Sequence, residues 1–166
     1  MQTAQTAASA LWFLPFALPI AIWVAWSDMA RMKIPNKSVV ALTLVFAVVG
    51  LVALPLEVWA WRWLQLVVVL AVLFVANLLR MLGAGDAKFA AAMAPFVAPG
   101  DYVMFLYILA AALLIGLALH RLAKRIGPIR KLTSGWESWE RKDFPMGLSL
   151  SGALVFYLAL GVAYGA

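Results

Sequence analysis

Six runs of apolar residues, at about 11–26, 38–56, 63–79, 89–98, 102–119 and 147–164, leave this chain little choice of solvent. Five of them approach the ~20 residues that a helix needs to cross about 30 Å of hydrocarbon. Hydrophobic residues make up 66% of the chain and charged residues only 12%. A soluble domain has about half and about a quarter. The expected fold is all-α: a polytopic membrane helical bundle of about six transmembrane helices, one unit over residues 1–166. Residues 1–10 carry no charged side chain. They therefore lack the basic segment of a signal peptide, and the first run is expected to stay as a membrane span.

The fourth run is too short to be assigned by length, and charge decides it. If all six runs cross, the connections 26–37, 80–88 and 120–145 share one side. Twelve of the 13 Lys and Arg residues then fall there, and Arg62 alone falls on the other side. The positive-inside rule places the twelve in the cytoplasm and both termini outside. Dropping the fourth span would send Arg121, Lys124, Arg125, Arg130, Lys131, Arg141 and Lys142 outside. The span is therefore kept, beginning near Gly85. The net charge of +6 is thus a topology signal, not the footprint of a nucleic-acid partner.

Trp59, Trp61 and Trp63 mark the outer interface and Trp26 the inner one, as amphipathic rings prefer. In the cytoplasmic loop, about 120–146, Trp136 and Trp139 stand three apart. That spacing predicts a short helix lying on the inner leaflet. The alternative is that both rings pack under the bundle. His120, the only histidine, ends a span beside Arg121 and reads as an interfacial side chain. Asn77 is expected to hydrogen-bond across helices.

The chain has no cysteine, so thiol nucleophiles, thiolate metal sites and disulfides are excluded. Of its 7 acidic residues, Asp28 closes the first span and Asp86 follows the third. On the six-span topology both lie at the cytoplasmic edge. Carboxylates at membrane depth are functional candidates by default. Two close carboxyls cannot both ionise cheaply, so they share a proton; one can then act as general base toward water and the other as general acid. Alternatively, each caps a helix or pairs with Arg31, Lys33 or Lys88. Gly83 and Gly85, flanking Ala84, form either a tight turn or a flexible stretch where an extended substrate is held. Pro35 and Asn36 read as the structural start of the second helix, with Asn36 as its cap. Asp101, on the outer side, is expected to tolerate conversion to Asn.

Asp28 with Ile34–Pro35–Asn36, then Gly83–Ala84–Gly85–Asp86–Ala87–Lys88, then Phe144–Pro145–Met146–Gly147 entering the last span, resemble the prepilin peptidase family. These are GxGD-type membrane aspartyl proteases. The resemblance implies removal of a short basic leader from prepilins or pseudopilins, after a glycine, at the cytoplasmic face of the bacterial inner membrane. It implies that Asp28 and Asp86 are the catalytic pair and Gly83 and Gly85 the motif glycines. Lys88 matches a common lysine of the family and is a candidate substrate contact. Pro145 and Gly147 are structural. The larger members carry an added cytoplasmic region with two Cys-x-x-Cys pairs and methylate the new N-terminus. This chain lacks both cysteines and room for that region. It resembles the short stand-alone peptidases of tight-adherence (Flp-type) pilus systems, with no methyltransferase activity, metal or cofactor expected. Competing readings are an ion- or proton-coupled transporter, a non-catalytic subunit of a pilus or secretion assembly, and a magnesium or calcium site on the two acids.

Overall fold

The computed structural model describes residues 2–141 and 143–166. Met1 and Lys142, the latter one of the twelve basic residues, lie outside the described residues. Among those described there are seven helices and no strand: α1 (Ala7–Arg31), α2 (Asn36–Ala53), α3 (Leu56–Leu78), α4 (Ala84–Met93), α5 (Tyr102–Ala123), α6 (Gly127–Leu132) and α7 (Met146–Tyr164). All but α4 and α6 are long and apolar enough to cross a membrane. The protein is an all-α polytopic bundle, as its apolar runs predict.

Local chemistry sets the helix ends. Thr6 caps α1, its hydroxyl accepting from the Ser9 N–H. Met32 ends α1 with a left-handed φ of 51° and donates its N–H to the Asp28 carbonyl. Pro35, not Asn36, occupies the cap of α2. The Pro35 carbonyl accepts both the N–H and the hydroxyl of Ser38, which leaves no capping role for the Asn36 side chain.

The chain crosses the bundle six times, although only five crossings are long helices. The C-terminus of α1 meets the N-terminus of α7 at one end, where Gly147 donates to Asp28. At the other end Thr3 donates its N–H to the Tyr164 carbonyl at 3.1 Å, so both termini lie together. The fourth crossing covers the same depth with α4, a 3-10 turn at Ala94–Phe96, extended residues Val97 and Ala98, and a second 3-10 turn at Pro99–Asp101. Phe89, Met93, Phe96, Val97 and Ala98 are all buried. Irregular backbone is tolerated at membrane depth only where protein, not lipid, surrounds it. Rings from three elements do this: Phe13 of α1, Phe46 of α2 and Phe96 pack with centroids 4.9–5.9 Å apart.

The broken segment also needs hydrogen-bond partners, and side chains supply them. Tyr157 Oη accepts the Ala98 N–H at 3.0 Å and donates to Asp101 Oδ2 at 2.8 Å. Arg62 Nη1 donates to the Pro95 carbonyl and to Gln5 Oε1. Gln65, with its amide oriented to satisfy both ends, donates to the Ala94 and Val97 carbonyls. Asp101 is buried and accepts the N–H groups of Ala4 and Gln5 at 2.8 and 2.9 Å. Arg62 is therefore not a loop charge, as its place in the sequence suggests, but a buried part of this network.

The loop after α5 departs from expectation. The segment around Trp136 and Trp139 is a 3-10 turn at Glu137–Trp139, not an interfacial helix. Trp139 is buried and stacks on His120 with centroids 5.1 Å apart, and its Nε1 donates to the Thr133 carbonyl. The two Trp rings stack on each other at 5.9 Å and pack under the bundle. His120 is likewise buried rather than reaching the interface, because Trp139 and Phe144 enclose its ring. The only helix in this loop among the described residues is the six-residue α6, whose residues are exposed.

Asp101 therefore does not fit the expectation of a silent position. In Asp101→Asn an amide NH2 replaces an oxygen that accepts hydrogen bonds. In Tyr157→Phe the Ala98 N–H loses its acceptor. Each change is expected to cost about 1–3 kcal/mol, the penalty of a buried group left unpaired. The measurement is the midpoint of thermal unfolding in detergent. Wild-type midpoints in both variants would show that the network does not hold the fourth crossing.

Candidate active site

Asp28 lies in the last turn of α1 and is buried. Its Oδ2 accepts the Gly147 N–H at 2.7 Å. Gly147 is in the first turn of α7, where backbone N–H groups have no partner within the helix. A contact across 119 positions thus caps α7 and fixes the Asp28 carboxylate at once. It also explains the glycine: a Cβ at position 147 would stand 2.9 Å from Oδ2 and 3.0 Å from the Asp28 Cβ. Pro145 occupies the cap position of α7 just before it. On the other flank, Ser27 Oγ donates to the Lys33 carbonyl at 2.9 Å, folding the chain back after α1.

Asp86 lies in the first turn of α4, with Gly83 at the cap. No glycine among the described residues has a positive φ. The motif glycines therefore do not supply unusual backbone angles. A Cβ at position 83 would stand 2.6 Å from Asp86 Oδ2, so Gly83 leaves the space that this carboxyl fills. A Cβ at position 85 would stand at ordinary contact distance, 3.4 Å, from the Ile34 Cβ, so the start of α4 lies against the loop carrying Ile34, Pro35 and Asn36.

Asp28 and Asp86, 58 positions apart in the chain, line one cavity of about 530 Å3 at this end of the bundle. Gly83, Asn77, Arg80 and Asp143 line it with them. Among the described residues no cluster of three or more metal-ligating side chains occurs. The pair offers two carboxyls as candidate acid and base, which is the chemistry of adding water to a polarised carbonyl.

Lys88 is exposed and stands apart from the cavity. Two positions beyond Asp86 on a helix, it faces another direction. Asn77 does not bond across helices: its Nδ2 donates to the Leu82 carbonyl at 2.7 Å and closes the turn leading into Gly83. Within that turn Arg80 has a φ of 58°, a left-handed conformation uncommon for its type. Arg80 and Asp143 are cavity residues that the linear sequence did not single out. Arg80 is one of several basic residues at span ends, and Asp143 one of several acids in a charged loop.

No curated protein and no solved structure gives a significant match to this chain. The sequence model of the type IV leader peptidase family matches residues 15–120, a stretch that includes both Asp28 and Asp86. With well over half of its length inside that match, the chain belongs to the type IV leader peptidase family.

Proposed function

We propose that this protein cuts the leader from a prepilin or pseudopilin, after a glycine, with Asp28 and Asp86 as its catalytic pair. The site faces the cytoplasm from the bacterial inner membrane, and both termini lie outside. The cysteine-free chain acts as a peptidase of a tight-adherence pilus system, without methyl transfer. One observation carries the reading: two acids far apart in the chain line one cavity at the end of the bundle where the basic residues gather. Carboxyls that moved ions across the bilayer would lie along a path through it. These sit at its edge.

In this reading Asp86 holds the proton that the pair shares, and Asp28, kept in place by the Gly147 N–H, is the base. As water attacks the scissile carbonyl carbon, its proton passes to Asp28 and the Asp86 proton passes to the carbonyl oxygen. The C–N bond of the tetrahedral diol then breaks: the amine leaves with the proton held by Asp28, and one diol hydroxyl returns its proton to Asp86 as the carboxylic acid forms. Arg80, Asn77 and the Leu82–Gly83 segment line the approach.

Co-expression with prepilins of the same genome, with leader loss followed by gel shift, tests this directly. Asp28→Asn and Asp86→Asn are each expected to lower cleavage roughly a thousandfold or more, within the range for loss of a general acid or base, while both variants still insert. Full activity in either would end the dyad assignment. The pH dependence follows from the same roles. At low pH both carboxyls are neutral and no base remains. As pH rises, the pair loses its shared proton and no acid remains. The profile of kcat/KM should be bell-shaped; a profile that falls on one side only would contradict the assignment. For topology, reporter fusions at Leu54 and at the C-terminus should read as extracytoplasmic and one at Lys131 as cytoplasmic. The reverse pattern would put the site on the wrong face.

A further inference from the structure

A second, larger cavity, about 760 Å3, opens sideways between α3 and α5 at membrane depth. It exists because the fourth crossing is short and recessed. The helix α3 packs on α4 while α5 packs on α7, and the floor between the two walls is Ala90, Met93, Ala94 and Val97. The polar side chain in its middle, Gln65, is already occupied by the Ala94 and Val97 carbonyls, so the groove presents an apolar face.

The direction of the groove is informative. Along α3 its lining residues Val58, Gln65, Val69 and Leu73 recur at helical spacing, and one turn beyond Leu73 the same face presents Asn77 to the carboxylate cavity. Along α4 its lining residue Ala90 lies one turn from Asp86 on one face. Two helix faces thus leave the bilayer groove and converge on the catalytic end. From Val58 to Leu73 the groove follows about 22 Å of helix axis at 1.5 Å per residue, most of the ~30 Å hydrocarbon thickness. Small residues at its floor, Ala90 and Ala94, admit close approach of another backbone.

We infer that this groove seats an apolar transmembrane helix of the substrate, and that it delivers the peptide bond at the helix's cytoplasmic end to Asp28 and Asp86. The inference rests on the peptidase reading above. A lipid chain would also fill an apolar groove. Occupation by lipid alone gives no reason for both lining faces to run into the catalytic cavity.

The absence of native cysteine makes the test clean. Full-length Asp86→Asn protein is reconstituted in liposomes with a prepilin that the wild type cleaves, carrying one cysteine in its apolar helix. Oxidation should cross-link the prepilin to Val68→Cys and Leu106→Cys, on the two groove walls, and not to Val67→Cys or Leu114→Cys, which are exposed but outside the groove. In otherwise wild-type protein, Val68→Trp and Leu106→Trp should lower kcat/KM for the membrane-anchored prepilin relative to a short peptide spanning only its cleavage site. The expected change in that ratio is roughly tenfold, equivalent to about 1.4 kcal/mol of lost contact. Equal cross-linking inside and outside the groove, or an unchanged ratio, would overturn the groove assignment while leaving the peptidase reading intact. If the wild type cleaves neither substrate, the peptidase reading falls and the groove's role falls with it.

Discussion

Hydrocarbon offers no partner to a peptide N–H or C=O, so every residue at membrane depth must find its hydrogen bonds inside the protein. Five helices meet that demand from their own backbones. The fourth crossing does not, because α4 stops at Met93 and the chain continues through 3-10 turns and two extended residues. Other elements complete it: Tyr157 from α7, Arg62 and Gln65 from α3, and the Phe13, Phe46 and Phe96 rings around it. The N-terminal residues Ala4 and Gln5 join through Asp101. The whole bundle is thus organised around one segment that could not stand alone in lipid.

That arrangement has consequences at the opposite end. A short, buried α4 packs against α3, α2 and α7, and its first turn carries Asp86. The Asp28–Gly147 hydrogen bond then ties α1 to α7, the most extensive helix pair in the molecule. Both carboxyls are therefore placed by helix ends, not by flexible loops, and a site on rigid elements holds its geometry more closely than one on loops. The recess over α4 is the other product of its shortness, and it opens the side of the bundle between α3 and α5.

Much of this was legible in the sequence because lipid simplifies the reading. The Lys and Arg asymmetry argued for six crossings even though residues 89–98 are too short to span, and the crossing begins at Ala84, beside the predicted Gly85. Asp28 and Asp86 stood out because acids are rare and each ends an apolar run. The contacts that complete the site were not legible. Nothing local announces that Gly147 will donate to a residue 119 positions away. Arg62 looked like an ordinary loop charge because hydropathy counts a cation without knowing that Gln5 and Pro95 will accept its protons. Trp136 and Trp139 have a spacing that fits either an interfacial helix or a stacked pair, and His120, sixteen or more positions earlier, decided it. The glycines read as either a tight turn or a flexible stretch, whereas their backbone angles are ordinary and Gly83 leaves the space that Asp86 fills.

The central claim is that the two carboxyls act on one reacting atom. The most direct measurement is a structure of the protein with a leader peptide whose scissile amide is replaced by a hydroxyl-bearing isostere, the shape of the tetrahedral diol. The account predicts the hydroxyl within about 2.6–3.2 Å of a carboxyl oxygen from both Asp28 and Asp86, the reach of catalytic hydrogen bonds. A complex in which the isostere is held while either carboxyl stays out of that reach would contradict it.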